Sequence, residues 1–333
     1  MVRLRTVAVS DVGWTRRRTG RGFTYLDQFG NRLPDEEIAR IKSLVIPPAW
    51  NDVWICRRPN GHIQAVGTDA KGRRQYLYHP QWRIQRDLLK HDHVLEVARR
   101  LPPAREQVSE ILGSGRRDLD FAVGTAFRLL DLGYFRIGSD TYASTNGSFG
   151  LTTLRREHVR RQGNLLVFRF TAKSGVQQSV VIDDPEVIEA VEVLRRRRGG
   201  GEELLAYKDG RTWRDLTATH VNERLRQLLA CEVSAKDFRT WHGTVHAAVA
   251  LAARPAESPT GRKRAIAAAM REVAQHLGNT PTVARASYVD ERVIERYQAG
   301  QTIAVAVRRA EKETLPLERQ AIVERAVLRL LRS

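Results

Sequence analysis

The spacing of apolar positions changes character once along the chain. Over residues 1 to about 88, short apolar runs at 53–56 and 62–66 are broken by Asn60-Gly61 and Lys71-Gly72, a pattern of brief strands joined by tight turns. Pro34-Asp35-Glu36-Glu37 opens one helical stretch there, with acidic side chains where the helix dipole favours them. From about Trp82 apolar residues recur every three or four positions, which predicts helices over 82–100, 103–113 and 116–132, the last stopping at Gly133. One β region interrupts them, at 151–158, 165–171 and 179–182, with hairpin turns at 162–164 and 172–178. Helices resume after Asp184-Pro185-Glu186 and over 219–230, 240–253, 262–277, 281–289 and 314–331. The pattern predicts an α+β protein of two domains: a small antiparallel β-sheet domain at 1–88 and a larger, mainly α-helical domain at 89–333.

Composition narrows the partner. The 333 residues carry 56 Lys+Arg against 38 Asp+Glu, a formal net charge of +18, and 48 of those cations are arginines. GC-rich coding explains a preference for Arg over Lys, but not the excess of cations, and a polyanion gains most from such a field. Nucleic acid is therefore the expected partner. Cys56 and Cys231 are too few for a disulfide framework and lack metal-ligand spacing, which predicts a cytoplasmic protein. No apolar stretch approaches the length of a membrane span. The cluster at 195–198 followed by three glycines reads as a solvated helix end and a flexible turn in preference to the alternative, a phosphate contact.

Common catalytic signatures are absent: Gly67–Gly72 lacks the Lys-Ser/Thr ending of a phosphate loop, and there is no Gly-x-Ser-x-Gly elbow. His242 and His246 have zinc spacing on a helix, but Gly243 stands where a metalloprotease needs its glutamate. No metal and no cofactor are expected. What remains is a set of basic strings: Tyr134-Phe135-Arg136-Ile137-Gly138, Phe170-Thr171-Ala172-Lys173-Ser174-Gly175, Lys236-Asp237-Phe238-Arg239-Thr240, Leu277-Gly278-Asn279-Thr280 and Ala286-Ser287-Tyr288-Val289.

An Arg, a Lys, a second Arg, an amide and a Tyr in that order resemble the active site of type IB DNA topoisomerases of the short bacterial and poxvirus kind. Ile46-Pro47-Pro48-Ala49-Trp50 and the run from Gly67 to His79 resemble that family's N-terminal strings. The resemblance implies two domains that clamp duplex DNA, the larger of the tyrosine recombinase and topoisomerase IB type. It further implies a monomer, associated with the nucleoid, that relaxes supercoils without ATP or metal through a 3'-phosphotyrosyl intermediate. Tyr288 is then the nucleophile, Arg136 and Arg239 clamp the phosphate oxygens, Lys173 is the general acid, and Asn279 donates a hydrogen bond. Many relatives have histidine at this last position; asparagine has no acidic proton to give. Two routes to the Tyr288 phenolate are open, proton loss to water or stabilisation by the arginines. Gln75, Tyr76, Tyr78, Tyr142 and Lys236 match DNA-contacting positions. On a regular strand, Tyr76 and Tyr78 share one face and Gln75 takes the other.

The covalent chemistry suits the same residues independently. Phosphodiester cleavage needs a nucleophile, fixed donors around the non-bridging oxygens and an acid for the departing alkoxide. Tyrosine recombinases share this chemistry, but they usually have histidine where Lys236 stands and carry a helical N-terminal domain. A DNA-binding protein without activity would also fit the charge, but it has no need of the complete Arg-Lys-Arg-Asn-Tyr set.

Overall fold

Five strands form the N-terminal sheet: β1 (Trp14–Thr19), β2 (Gly22–Leu26), β3 (Asn51–Ile55), β4 (Ile63–Thr68) and β5 (Arg74–Tyr78). Their order is β2-β1-β3-β4-β5, with every neighbouring pair antiparallel. One face packs Trp14, Tyr25, Val53, Ile55 and Ala65 against Ile38 and Ile41 of α1 (Asp35–Ser43), each large apolar side chain contributing about 1.5–3 kcal/mol on full burial. The Ile46–Trp50 string is held by the Arg16 guanidinium, which donates to the carbonyls of Ile46, Pro47 and Trp50 at 3.1, 2.9 and 2.8 Å. Gly67 has no side chain because Trp50 lies on it: a Cβ there would stand 2.9 Å from the indole.

A computed structural model describes residues 3–138, 143, 145 and 147–332, and the chain divides into two units, Met1–Lys90 and His91–Ser333. From Pro80 onward the chain is mainly helical: α2 (Pro80–Gly113), α3 (Leu119–Gly133), α4 (Pro185–Arg195), α5 (Ala218–Leu229), α6 (Ala235–Ala252), α7 (Pro259–Leu277), α8 (Pro281–Tyr288), α9 (Glu291–Gln298), α10 (Ala304–Ala310) and α11 (Pro316–Arg332). A meander of β6 (Val159–Gln162), β7 (Leu165–Thr171) and β8 (Gln177–Ile182) and a hairpin of β9 (Ala206–Asp209) and β10 (Thr212–Asp215) complete it. The α+β class with an N-terminal antiparallel sheet and a helical core is the class the pattern predicts.

Several local expectations are corrected. The two helices expected at 82–100 and 103–113 are one, running through Pro102 and Pro103. Two backbone hydrogen bonds are forgone there, but Leu101 and Ala104 on either side are fully buried and fix the path. The first expected strand of the β region, 151–158, is instead two single 3-10 turns, Leu151–Thr153 and Arg156–His158. Side chains bond the local backbone there and compete with pairing: Thr153 Oγ1 accepts from Gly150 N, and His158 Nδ1 from Arg155 N, both at 3.0 Å. α6 starts earlier than its apolar period suggests, because Asp237 Oδ2 accepts from Ser234 N at 2.8 Å and from Ser234 Oγ at 3.0 Å, tying the residue before the helix to its first turn. Arg197 is not solvated: it is 7% exposed and donates to the carbonyls of Leu194 and Leu204 at 2.8 and 3.0 Å.

Charges also lie in the helical core. Arg105 bonds both oxygens of Asp131 and of Glu324, all four contacts at 2.8 Å, and Arg128 bridges Asp131 at 3.1 Å and Asp184 at 2.5 Å. Burial alone would raise the Asp131 carboxyl, but Arg105 and His242 hold it far below the usual carboxylate range.

Candidate active site

The site is built from helix ends. α3 ends with Gly133, which has no Cβ because the Phe135 ring lies on it, and the left-handed residue after it is Tyr134 (φ 54°, ψ 31°) rather than the glycine expected to stop the helix. Two residues on, Arg136 leaves the helix in a segment pinned by Leu151 N donating to the Arg136 carbonyl at 2.7 Å. α6 carries Arg239 one turn from its start. Gly278 ends α7 in the left-handed region at φ 59°. Thr280 then caps α8, its Oγ accepting from Val283 N at 3.3 Å, with Pro281 in the first turn and Tyr288 as the last helical residue.

These ends bring four of the five expected catalytic residues together. Arg136 Nη2 donates to Asn279 Oδ1 at 2.8 Å and to the Gly278 carbonyl at 2.9 Å. Arg239 donates to the carbonyls of Tyr134 and of Leu277, the latter at 2.7 Å, and its guanidinium carbon stands 5.0 Å from the centre of the Tyr288 ring. Burial, and then repulsion from Arg136, push Arg239 down to about 10, with Tyr288 opposing. Arg136 is lowered by burial. Arg239 thus remains cationic at neutral pH. Arg239 Nε and Asn279 Nδ2 are buried and, among the described residues, meet no acceptor. Buried donors without acceptors are uncommon in folded proteins, and these two lie on members of one cluster that already gathers two guanidinium groups.

Lys173 opens the 3-10 turn Lys173–Gly175 at the tip of the β7–β8 hairpin and is exposed. That hairpin approaches the cluster at the turn end of β8, where the Gln178 amide fills the space a Cβ on Gly278 would occupy, with Oε1 2.3 Å from that position. Lys236 is exposed in the first turn of α6. In the N-terminal unit, Tyr76 and Tyr78 share one face of β5, their rings stacked at 6.0 Å, while Gln75 is tied to Asp69 Oδ2 at 2.9 Å. Tyr142 lies outside the described residues.

Three residues of the site were not singled out for a role in it from the sequence. Gly243 faces Tyr288, whose carbonyl oxygen would be 2.7 Å from a Cβ; a glycine inside a helix is itself a signal of close approach. Thr244 Oγ1, the next residue, lies 3.3 Å from the Tyr288 carbonyl and accepts from Asp290 N at 3.1 Å. Tyr134 is the third, holding Arg239 through a main-chain oxygen. His242 and His246 both pack against the Tyr134 ring, at 4.9 and 5.2 Å between centroids. Asp131, His242 and Glu324 bring ligand atoms within 4.8 Å of one another, but the Arg105 guanidinium already pairs with both carboxylates, which is a poor setting for a cation.

Comparison with known proteins gives the arrangement its family. The model of the eukaryotic DNA topoisomerase I catalytic core matches residues 79–314, and that of the bacterial DNA topoisomerase IB N-terminal domain matches 22–69. DNA topoisomerase 1B of Acanthamoeba polyphaga mimivirus is 29% identical over 310 residues, covering 86% of this chain and 88% of its own. DNA topoisomerase 1B of Vaccinia virus (strain Copenhagen) is 23% identical over 69% of this chain and 71% of its own. DNA topoisomerase 1 of Rabbit fibroma virus (strain Kasza) is 22% identical over 83% and 89%. A family model spanning most of the chain, with the expected arginines, amide and tyrosine gathered in one cluster, means that the chain belongs to the type IB DNA topoisomerases.

Proposed function

We propose that the enzyme relaxes supercoiled DNA, without ATP or metal, by cutting one strand through a transient 3'-phosphotyrosyl link and resealing it. The observation that carries this reading is the convergence of Arg136, Arg239, Asn279 and Tyr288, with the Arg239 Nε and Asn279 Nδ2 donors unpaired. Tyr288 gives its phenol proton to solvent, its Oη attacks phosphorus and the bond to the 5'-oxygen breaks. The leaving oxygen takes a proton from Lys173. Because one phosphodiester is exchanged for another, the energy of the broken bond is kept, and the same steps in reverse reseal the strand. Arg136 and Arg239 neutralise charge on the non-bridging oxygens as it grows; losing one such fixed donor costs on the order of 10²–10³ in rate. Asn279 adds a neutral donor.

The N-terminal unit serves in this reading as a DNA-binding domain, with Gln75, Tyr76 and Tyr78 against the duplex and Lys236 contacting it from the catalytic domain. The two domains clamp the DNA. One nucleophile cutting one strand acts as a monomer, and its substrate places it with the nucleoid in the cytoplasm. The direct test is incubation with supercoiled plasmid in EDTA and without ATP, followed by a denaturing quench. Relaxation together with protein linked to a 3' end is expected; a requirement for a divalent ion or nucleotide, or a link to a 5' end, would overturn the reading.

Two results separate parts of it. Lys173→Ala is expected to cleave slowly, by on the order of 10²–10⁴ as for loss of a general acid, and to regain its rate on a substrate with a 5'-bridging sulfur, a leaving group that needs no proton. A variant equally slow on both substrates would remove Lys173 from the acid role. From the net charge of +18, affinity for duplex is expected to fall linearly on a log–log plot against salt, by on the order of 10³ or more between about 50 and 200 mM. An affinity indifferent to salt would contradict binding through phosphates.

A further inference from the structure

The two carbonyls that hold the Arg239 guanidinium come from segments far apart in the chain, at Tyr134 and Leu277. Each segment delivers another member of the cluster two residues later, Arg136 and Asn279. A line of side chains joins the two segments. The Tyr134 hydroxyl is hydrogen-bonded to His246 Nε2 at 3.0 Å. The His246 ring packs on His276 with centroids 4.4 Å apart and planes tilted by 33°. His276 directly precedes Leu277, and its Nδ1 lies 2.9 Å from the Glu272 carbonyl, which ties the ring to its own helix.

Tyr134 also holds a backbone conformation, φ 54° and ψ 31°, that residues with a side chain adopt at a cost. Glycine is the usual occupant of such a helix end. A glycine would relieve the strain but leave no ring to reach His246, and the strained residue lies in direct contact with a proposed phosphate-binding arginine. Strain kept at such a place points to function.

We propose that Tyr134, with His246 and His276, is a brace that sets the spacing of Arg136, Arg239 and Asn279, and that Tyr134 is a positioning residue for strand cleavage. The inference rests on the role of Arg239 given above and adds to it the means by which the donors are aimed before DNA arrives. Fixed donors act on developing charge without rearrangement, and small errors in placement are costly in rate.

Three variants test it: Tyr134→Phe keeps the ring and removes the hydroxyl, His246→Gln keeps a hydrogen-bonding partner for that hydroxyl, and Arg239→Lys reports on the phosphate contact itself. Single-turnover cleavage of a short duplex is measured with a normal scissile phosphate and with sulfur at either non-bridging oxygen, together with DNA affinity. Tyr134→Phe is expected to slow cleavage by about 10- to 100-fold, to leave affinity unchanged, and to shift the sulfur effect in the direction that Arg239→Lys does. His246→Gln is expected to keep most of the rate. Should Tyr134→Phe fail to fold, His246→Ala carries the same test. Wild-type cleavage by Tyr134→Phe beside a slowed Arg239→Lys overturns the brace, and so does slow cleavage with an unaltered sulfur effect. An Arg239→Lys enzyme as fast as wild type overturns instead the arginine's role, and the brace with it.

Discussion

A Tyr288→Phe enzyme is expected to relax supercoils slower by on the order of 10⁶, the size of loss seen when a covalent nucleophile is removed. The substitution deletes one oxygen and keeps the ring, so the packing over Arg239, 5.0 Å from its centre, is retained. The carbonyl beside Thr244 belongs to the main chain and is likewise kept. Folding and DNA affinity should therefore stay near wild type, which separates this outcome from general damage. Plasmid relaxation and a band-shift titration on the same preparation read both quantities. Relaxation at a measurable fraction of the wild-type rate would sink the assignment of Tyr288.

Arg105→Met is expected to destabilise the protein by about 3–5 kcal/mol at neutral pH. The guanidinium is almost fully buried between Asp131 and Glu324, themselves buried, and without it two carboxylates face each other in the core with Arg128 left to serve one of them. Asp131 has a depressed folded-state pKa, so the stability it contributes is fully present above the unfolded carboxyl value of about 4 and is lost as pH falls below that. The gap between wild type and Arg105→Met should consequently narrow in acid. Denaturant unfolding at neutral pH and at about pH 2.5, well below the unfolded carboxyl value, measures it; a gap that is small at neutral pH, or that widens in acid, would count against the network as described.

Sequence reveals features that are local and conceals those that depend on distant chain. The Asp184 and Thr280 caps, each followed by proline, and the left-handed Gly278 are local, and the helices start and stop there as expected. From Pro281 the distance along α8 puts Tyr288 two turns on, at the helix end. Pro102 and Pro103 mislead because the rule they obey concerns an isolated helix, whereas buried neighbours decide the path. Arg197 misleads because its partners are main-chain carbonyls, which no side-chain pattern encodes. The same holds for Tyr134, whose contact with Arg239 is through its backbone oxygen. Arg105 and Glu324 are 219 positions apart, so nothing near either residue announces their pairing.

Gly243 has a consequence beyond packing. α6 presents Arg239 and, one turn later, a position with only a hydrogen, against which the Tyr288 main chain rests; Thr244 holds the turn that follows. One rigid rod therefore carries Arg239, the cation proposed to bind phosphate, and also sets how far the Tyr288 main chain stands from it. A methyl group at 243 would move the oxygen proposed to attack through the backbone alone, leaving every side chain of the cluster unchanged. Reach is thus fixed by a missing atom.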